Sequence, residues 1–159
     1  MVLKSARFGE IEIDDRKIIT FPHGIPGLES IKKFALIHYE KTHPISWLHA
    51  VDEPGVSLPV VEPFLVMPDY EFNISDADAG ELSVSKRDDL HILNVVVIPE
   101  KLEDMTVNLA APILINIRAN LGKQIIFDRK NYQIRYPAFE AIRRHYREVR
   151  AHAGADEKD

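Results

Sequence analysis

The sequence predicts a mainly β fold, namely a single antiparallel β-barrel-like domain of about ten short strands. Short apolar or alternating runs recur at steps of about 8–12 residues, and clusters of proline, glycine and aspartate separate them. Helical periodicity is confined to a short segment near 76–82 and to the region after Pro137. We therefore assign 7–137 to the barrel domain, 138–151 to a C-terminal basic amphipathic helix and 152–159 to a disordered tail.

Composition limits the class of protein. With 159 residues, the chain is long enough for one domain with a real core. It contains no cysteine, so disulfides, thiolate zinc sites and catalytic thiols are excluded. No apolar run approaches the roughly 20 residues that a membrane-spanning helix needs. The N-terminus also lacks the apolar core of a signal peptide, so we expect a cytoplasmic protein.

Charge is distributed unevenly along the chain. Residues 1–128 carry 12 Lys and Arg against 20 Asp and Glu, a balance of −8, whereas residues 129–159 carry 8 against 5, a balance of +3. An acidic body disfavours direct nucleic-acid binding, because phosphate contacts need clustered basic residues. It suits a basic protein partner, since complementary charge speeds encounter, or it serves only to keep the protein soluble.

The N-terminal third predicts a hairpin followed by a turn-rich segment. Residues 7–13 alternate apolar and polar side chains, and 17–21 would be the returning strand after a polar turn. The segment Phe21–Leu28 is dense in proline and glycine, and Pro26-Gly27 predicts a type II turn. Further apolar runs predict strands at 34–38, 45–51, 56–61 and 69–74.

The second half predicts the central strand and a bend. Ser75 can cap the short helix, and 90–98 is the most hydrophobic run, so it should be a central strand. In Thr106–Asn116, two apolar runs flank Pro112, which cannot donate to a sheet ladder and should mark an edge, a bulge or a corner. A last hairpin is expected from strands at 124–127 and 132–136 with a turn at 128–131.

The C-terminal segment changes to helical periodicity. Apolar residues recur at steps of three and four, and arginines occupy the remaining surface. The apolar positions are Phe139, Ile142, Tyr146 and Val149. We expect this stripe to pack on the barrel.

Catalytic and metal-binding chemistry is not indicated. The seven histidines match no ligand spacing, and the paired carboxylates lie in turns, where aspartate is common for backbone reasons. Nucleophile-elbow, phosphate-loop and zinc-protease motifs are absent from the sequence. We therefore predict no enzymatic activity, no metal and no cofactor.

Two groups of residues are candidates for partner binding. In the segment 69–73, alternation places Tyr70 and Phe72 on one face and Asp69, Glu71 and Asn73 on the other. Aromatic rings beside carboxylates can anchor a basic peptide, whereas an ordinary strand would bury both rings in the core.

The second group is a pair of asparagines. Asn108 and Asn116 lie in strand-like runs, where asparagine is depleted. Each therefore either satisfies a backbone group at a bend or faces a partner.

Four motifs occur in one order along the chain. They are Phe21-Pro-His-Gly-Ile-Pro-Gly-Leu28, Pro63-Phe64 with Asp69-Tyr-Glu-Phe72, Thr106–Asn116, and Gln124-Ile-Ile-Phe127 with Tyr132. Together they resemble the FliW family of flagellar assembly factors over about residues 7–137. The arginine-rich helix after Pro137 extends beyond the pattern expected of that family.

The resemblance implies a non-enzymatic β-barrel-like protein that is monomeric when free. FliW-like proteins bind CsrA, a dimeric RNA-binding repressor of flagellin translation, and antagonise it remotely from its RNA site. They alternately bind flagellin, so that flagellin export releases FliW to capture CsrA. The partner-binding residues expected here are Asp69, Tyr70, Glu71, Phe72, Asn73, Asn108 and Asn116. The alternatives are a chaperone directed only at flagellin, or a β-barrel that binds a small ligand.

Overall fold

A computed structural model describes residues 1–86, 89–127 and 132–146, and these residues are mainly β, as predicted. The described strands are β1 Val2–Ser5, β2 Gly9–Glu12, β3 Ile19–Thr20, β4 Lys33–Ile37, β5 Ser46–Ala50, β6 Ser57–Val61, β7 Leu90–Val97, β8 Thr106–Val107, β9 Ile113–Asn116, β10 Leu121–Gln124 and β11 Tyr136–Pro137. Helix α1 is Asp76–Glu81, and residues 139–146 are helical and are called α2 here. The rest of the predicted C-terminal helix and the predicted tail lie outside the described residues.

Seven strands close into a barrel in the order β7-β6-β5-β4-β3-β10-β9, and β9 pairs back onto β7. Every neighbouring pair is antiparallel except β3 and β10, which run parallel where Leu121 meets Thr20. The barrel is therefore mixed rather than wholly antiparallel. As predicted from its hydrophobicity, β7 is central, because it pairs with three strands. It pairs with β6, with β9 through its first half and with β8 through its last two residues.

The barrel interior is filled by apolar side chains from alternate residues of the strands. The interior cross-strand pairs include Phe34 with Ala50, Leu36 with Leu48, Val60 with Val95, and Leu93 with Ile113. A second apolar cluster covers part of the outer surface, where Trp47, Val61 and Leu114 pack beneath Tyr70, Phe72, Leu82 of the α1 C-cap and Ile142 of α2. Because Ala138 and Ile142 are 1% and 6% exposed, the described part of the C-terminal helix packs on the barrel as expected.

The turn-rich segment at 21–28 closes one part of the barrel. Phe21 is fully buried, and a Cβ on Gly122 of β10 would lie 2.4 Å from its ring, so only glycine fits there. The Leu28 N–H donates to the Ile25 carbonyl at 2.6 Å, and Gly27 has a φ of +88°. These features confirm the predicted type II turn.

Two predicted hairpins are wrong. The sequence does not predict β1, and β2 pairs with it. The connection Ala6–Phe8 between these two strands is tighter than the 3-10 turn Asp15–Lys17 that follows β2. Strand β3 pairs instead with β4 and β10. The second predicted hairpin fails because β10 pairs with β9, whereas β11 pairs with β8.

Two segments are also displaced from their predicted positions. The predicted strand at 124–127 is shifted to Leu121–Gln124, and the one at 132–136 is shifted to Tyr136–Pro137. The predicted turn at 128–131 lies outside the described residues. Residues 69–74 belong to no strand, so the strand predicted there from their alternation is wrong.

The bend predicted at Pro112 is a five-residue bulge between β8 and β9. Val107 pairs with Val96 and Ile113 pairs with Leu93, so five residues, 108–112, stand opposite only two residues of β7. Chain 125–127 covers the bulge, because the N–H groups of Ile125 and Phe127 donate to the carbonyls of Pro112 and Ala110. The bulge backbone is thereby satisfied without a continuous ladder.

Candidate functional site

The segment 69–73 lies against the bulge at 108–112, so two of the predicted binding regions are brought together. The Tyr70 hydroxyl donates to the Leu109 carbonyl at 2.7 Å. The Glu71 N–H donates to the Tyr132 hydroxyl at 2.9 Å. These two hydrogen bonds fix a segment that pairs with no strand in the described part of the chain.

The predicted alternation of this segment is present in its burial. Tyr70 and Phe72 are 4% and 7% exposed and belong to the outer apolar cluster, whereas Asp69, Glu71 and Asn73 are exposed. The aromatic rings therefore anchor the segment, and the polar side chains are the ones that a partner can reach. No ion pair within the described residues neutralises Asp69 or Glu71.

An aromatic row runs beneath and beside the segment. The ring centroids of Tyr70 and Tyr132 are 4.6 Å apart, and that of Phe64 is 6.1 Å from Tyr70. Phe64 is 41% exposed, so an apolar ring lies next to the exposed carboxylates. Phe64 and Tyr132 were not predicted as parts of this site, although both belong to the four motifs that resemble the FliW family.

Burial raises the pKa of the Tyr70 hydroxyl to about 12. The hydroxyl is therefore protonated throughout the physiological range and can keep donating to Leu109. The anchor beneath Asp69 and Glu71 is insensitive to pH near neutrality.

The two predicted asparagines have backbone partners. The Asn108 Oδ1 accepts the Ala110 N–H at 3.0 Å, and its carbonyl accepts the buried Asn94 Nδ2 at 2.8 Å. Asn116 is 2% exposed; its Nδ2 donates to the carbonyls of Leu82 and Ser83, at 2.7 and 3.2 Å. Both side chains hold backbone bends, and Asn116 lies at the end of α1 rather than beside the 69–73 segment. A partner contact for either one stays a prediction.

The buried histidine His49 has structural partners on both ring nitrogens. His49 is fully buried, with its ring nitrogens 2.7 Å from the Ala50 carbonyl and 2.8 Å from the Ser5 hydroxyl. Among the described residues, no group of three or more His, Cys, Asp or Glu side chains is placed to hold a metal ion. None of the helices in the described part of the chain has the length and apolar character needed to cross a membrane.

Comparison with known proteins gives the family. The family described as FliW protein matches residues 2–138, which includes the barrel, the 69–73 segment and the bulge. The chain belongs to the FliW family. This confirms the resemblance inferred from the four motifs, and it extends the match to strand β1.

Relatives in the FliW family match over nearly their whole length. The flagellar assembly factor FliW of Thermotoga neapolitana is 43% identical over 141 residues, covering 88% of this chain and 95% of the relative. That of Clostridium kluyveri is 38% identical over 140 residues, covering 88% and 97%. A crystal structure of the flagellar assembly factor FliW superposes with a TM-score of 0.82 at 32% identity, over 87% of this chain and 97% of that one.

Proposed function

We propose that this chain is a non-enzymatic regulator of flagellum assembly that binds and antagonises CsrA and alternately binds flagellin. Membership of the FliW family over residues 2–138 carries the proposal. The protein acts in the cytoplasm as a monomer, without a cofactor. Free flagellin occupies it, and flagellin export frees it to capture CsrA, so that flagellin synthesis follows secretion.

The surface around segment 69–73 has the chemistry expected for a basic partner. Asp69 and Glu71 are exposed carboxylates without ion-pair partners among the described residues, and Phe64 beside them offers an exposed apolar ring. The body of the chain, residues 1–128, carries a balance of −8. Such a field speeds encounter with a basic protein, and buried contacts around a central ring then set the lifetime of the complex.

The anchors of this segment make the surface rigid. Tyr70 and Phe72 are buried, and the segment is hydrogen-bonded to the bulge and to Tyr132. A segment that is already ordered loses less conformational entropy on binding than a mobile loop. We therefore assign direct contact to Asp69, Glu71 and Asn73, and positioning of this segment to Tyr70, Phe72 and Asn108. Asn116 instead holds the C-terminal end of α1.

The test is calorimetric titration of the purified chain with CsrA, using Glu71→Lys and the matched control Glu53→Lys, which reverses an exposed charge in the turn after β5. Glu71→Lys should weaken binding by roughly tenfold or more, about 1.4 kcal/mol, and less so at high salt. The control should change affinity little. Equal affinity of Glu71→Lys and the wild type at low and moderate salt would remove this segment from the interface.

A pulldown with purified partners separates the alternatives. Capture of both CsrA and flagellin supports the proposal, whereas flagellin alone indicates a chaperone directed only at flagellin. Capture of neither, with a small molecule retained in native mass spectrometry, would favour a ligand-binding barrel.

A further inference from the structure

The ribbon formed by β1 and β2 has a free edge. Met1 and Ile13 exchange two backbone hydrogen bonds of 2.9 Å, one in each direction. In an antiparallel ladder such bonded pairs alternate with non-bonded ones, so Glu10 and Glu12 direct their N–H and C=O groups away from β1. No other strand joins this sheet, and among the described residues nothing occupies these groups. The outer edge of β2 therefore presents open backbone donors and acceptors.

A groove of about 590 Å³ runs beside β2 to one end of the barrel. Apolar residues line most of it, with Ile11 and Ile13 on the β2 side and residues such as Leu36 and Ile117 at the barrel end. Polar and charged residues complete the lining, namely Glu12, Asp14, Lys17, His38, His91 and Asn120. No residue of β1 lines it, which places the groove on the side of β2 that carries the free edge. Ile117 is 57% exposed, so this apolar surface is open to an incoming chain.

The two faces of β2 differ in chemistry. Side chains alternate across a strand, so Ile11 and Ile13 point to one face and Glu10 and Glu12 to the other. The Glu12 side chain is 80% exposed and its Oε1 lies 3.7 Å from the Met1 ammonium. Glu10 is exposed and has no ion pair among the described residues. A strand laid against β2 would therefore meet a mainly apolar groove on one face and the Glu10 and Glu12 carboxylates on the other.

We propose that the edge of β2 and its groove form a binding site for an extended peptide whose residues alternate between apolar and basic. The peptide adds a third strand to the ribbon. Main-chain hydrogen bonds to Glu10 and Glu12 provide affinity, the groove accepts its apolar side chains, and the glutamates select Lys or Arg on the opposite face. A second copy of the chain is disfavoured, because pairing β2 with itself would set glutamates against glutamates.

This site is separate from the 69–73 segment, and its test needs neither CsrA nor flagellin. The probe is the peptide acetyl-Lys-Ile-Arg-Val-Lys-Ile-amide with a fluorescent label, titrated with the full chain and followed by anisotropy. The control peptide has the same composition in block order, Lys-Lys-Arg-Ile-Val-Ile. We expect the alternating peptide to bind at least tenfold more tightly. Equal affinity of the two peptides, or binding of neither, would overturn the proposal.

Backbone pairing is tested directly with two further peptides, each N-methylated on one set of alternate residues. Only one of them should bind, because only one set directs its N–H groups towards β2. In the chain, saturation with the alternating peptide should slow amide exchange at Glu10 and Glu12 but not at Glu53. Loss of binding with both methylated peptides and unchanged exchange at both glutamates would contradict strand addition.

Variants of the chain complete the test. Glu10→Pro removes an outward N–H but no ladder bond, so it should lower peptide affinity about tenfold while the melting temperature stays near that of the wild type. Glu10→Lys with Glu12→Lys should weaken binding of the alternating peptide at least tenfold, because it sets like charges opposite the basic residues of the peptide, and Glu53→Lys should not. Wild-type affinity in both edge variants would show that the peptide binds elsewhere.

Discussion

Asn116 should be a structural residue whose loss destabilises the barrel before it affects any partner. Its side chain makes four hydrogen bonds to the backbone: it donates to Leu82 and Ser83, and it accepts from Arg118 and Ala119 at 3.0 and 3.2 Å. It therefore joins the end of β9 to the C-terminal end of α1. Asn116→Ala would remove all four bonds.

The expected cost follows from the burial of these bonds. The bond to the Leu82 carbonyl is buried, and its loss leaves an acceptor without water, at about 2 kcal/mol. The other three are partly buried, and water can replace some of them, so each costs about 0.5–1 kcal/mol. The total is about 3.5–5 kcal/mol, which is a large share of the roughly 5–15 kcal/mol that stabilises a typical domain.

The assay is urea unfolding followed by fluorescence of Trp47, the only tryptophan, which is 3% exposed. Asn108→Ala removes one side-chain bond and should cost about 1 kcal/mol, and the exposed Asn73→Ala should change the free energy of unfolding by less than about 0.5 kcal/mol. An unchanged midpoint for Asn116→Ala, combined with loss of CsrA binding, would refute this reasoning and make Asn116 a contact residue.

Two further changes test the core around the site. Tyr70→Phe should cost about 1 kcal/mol at neutral pH through the lost bond to Leu109. Because burial raises the pKa of Tyr70 from 10.0 to about 12, the stability it contributes is fully present below pH 10 and is lost as pH rises through about 12. The wild type should therefore lose more stability than the Phe variant over that interval in alkaline unfolding experiments, and parallel profiles would exclude Tyr70 as the cause. Gly122→Ala would place a Cβ 2.4 Å from the Phe21 ring and should cost about 1–3 kcal/mol, with partial recovery in the double variant with Phe21→Leu. Gly55→Ala, with no atom within 4 Å of its Cβ, is the matched control, and equal melting temperatures of the two alanine variants would contradict the close contact.

The sequence predicted the turns, caps and bends of the fold, which depend on residues that are neighbours along the chain. The Pro26-Gly27 turn, the Ser75 cap of α1 and the bend at Pro112 each follow from the conformational preferences of one or two residues. The hydrophobicity of 90–98 likewise indicated the central position of β7. These features can be predicted without knowing which residues meet across the fold.

Strand pairing could not be predicted, because the alternation of side chains identifies a strand but not the strand that it pairs with. The alternation at 7–13 cannot tell whether the strand pairs with β1 or with residues 17–21, since both lie a few residues away. The alternation at 69–74 correctly placed Tyr70 and Phe72 inside, but it reflects packing on the barrel rather than a ladder. The role of Tyr132 in holding Glu71 depends on a contact across 61 residues of sequence, which no local pattern contains.

The sequence indicated which residues are candidates for the site, but not which of them lie close together. Segment 69–73 and Asn108 do lie in one neighbourhood, joined through Tyr70 and Leu109. Asn116 lies apart from them because its strand continues past the bulge to the opposite end of β7. The different positions of Asn108 and Asn116 follow from the register of β7 with β8 and β9, which the sequence does not specify.

Competition between the two partners tests the central claim most directly. The chain is bound to immobilised CsrA, purified flagellin is added at increasing concentration, and the chain released from the surface is measured. Alternating binding predicts that flagellin displaces the wild-type chain until little remains on CsrA. Unchanged retention at saturating flagellin, or failure of the chain to bind CsrA at all, would contradict it.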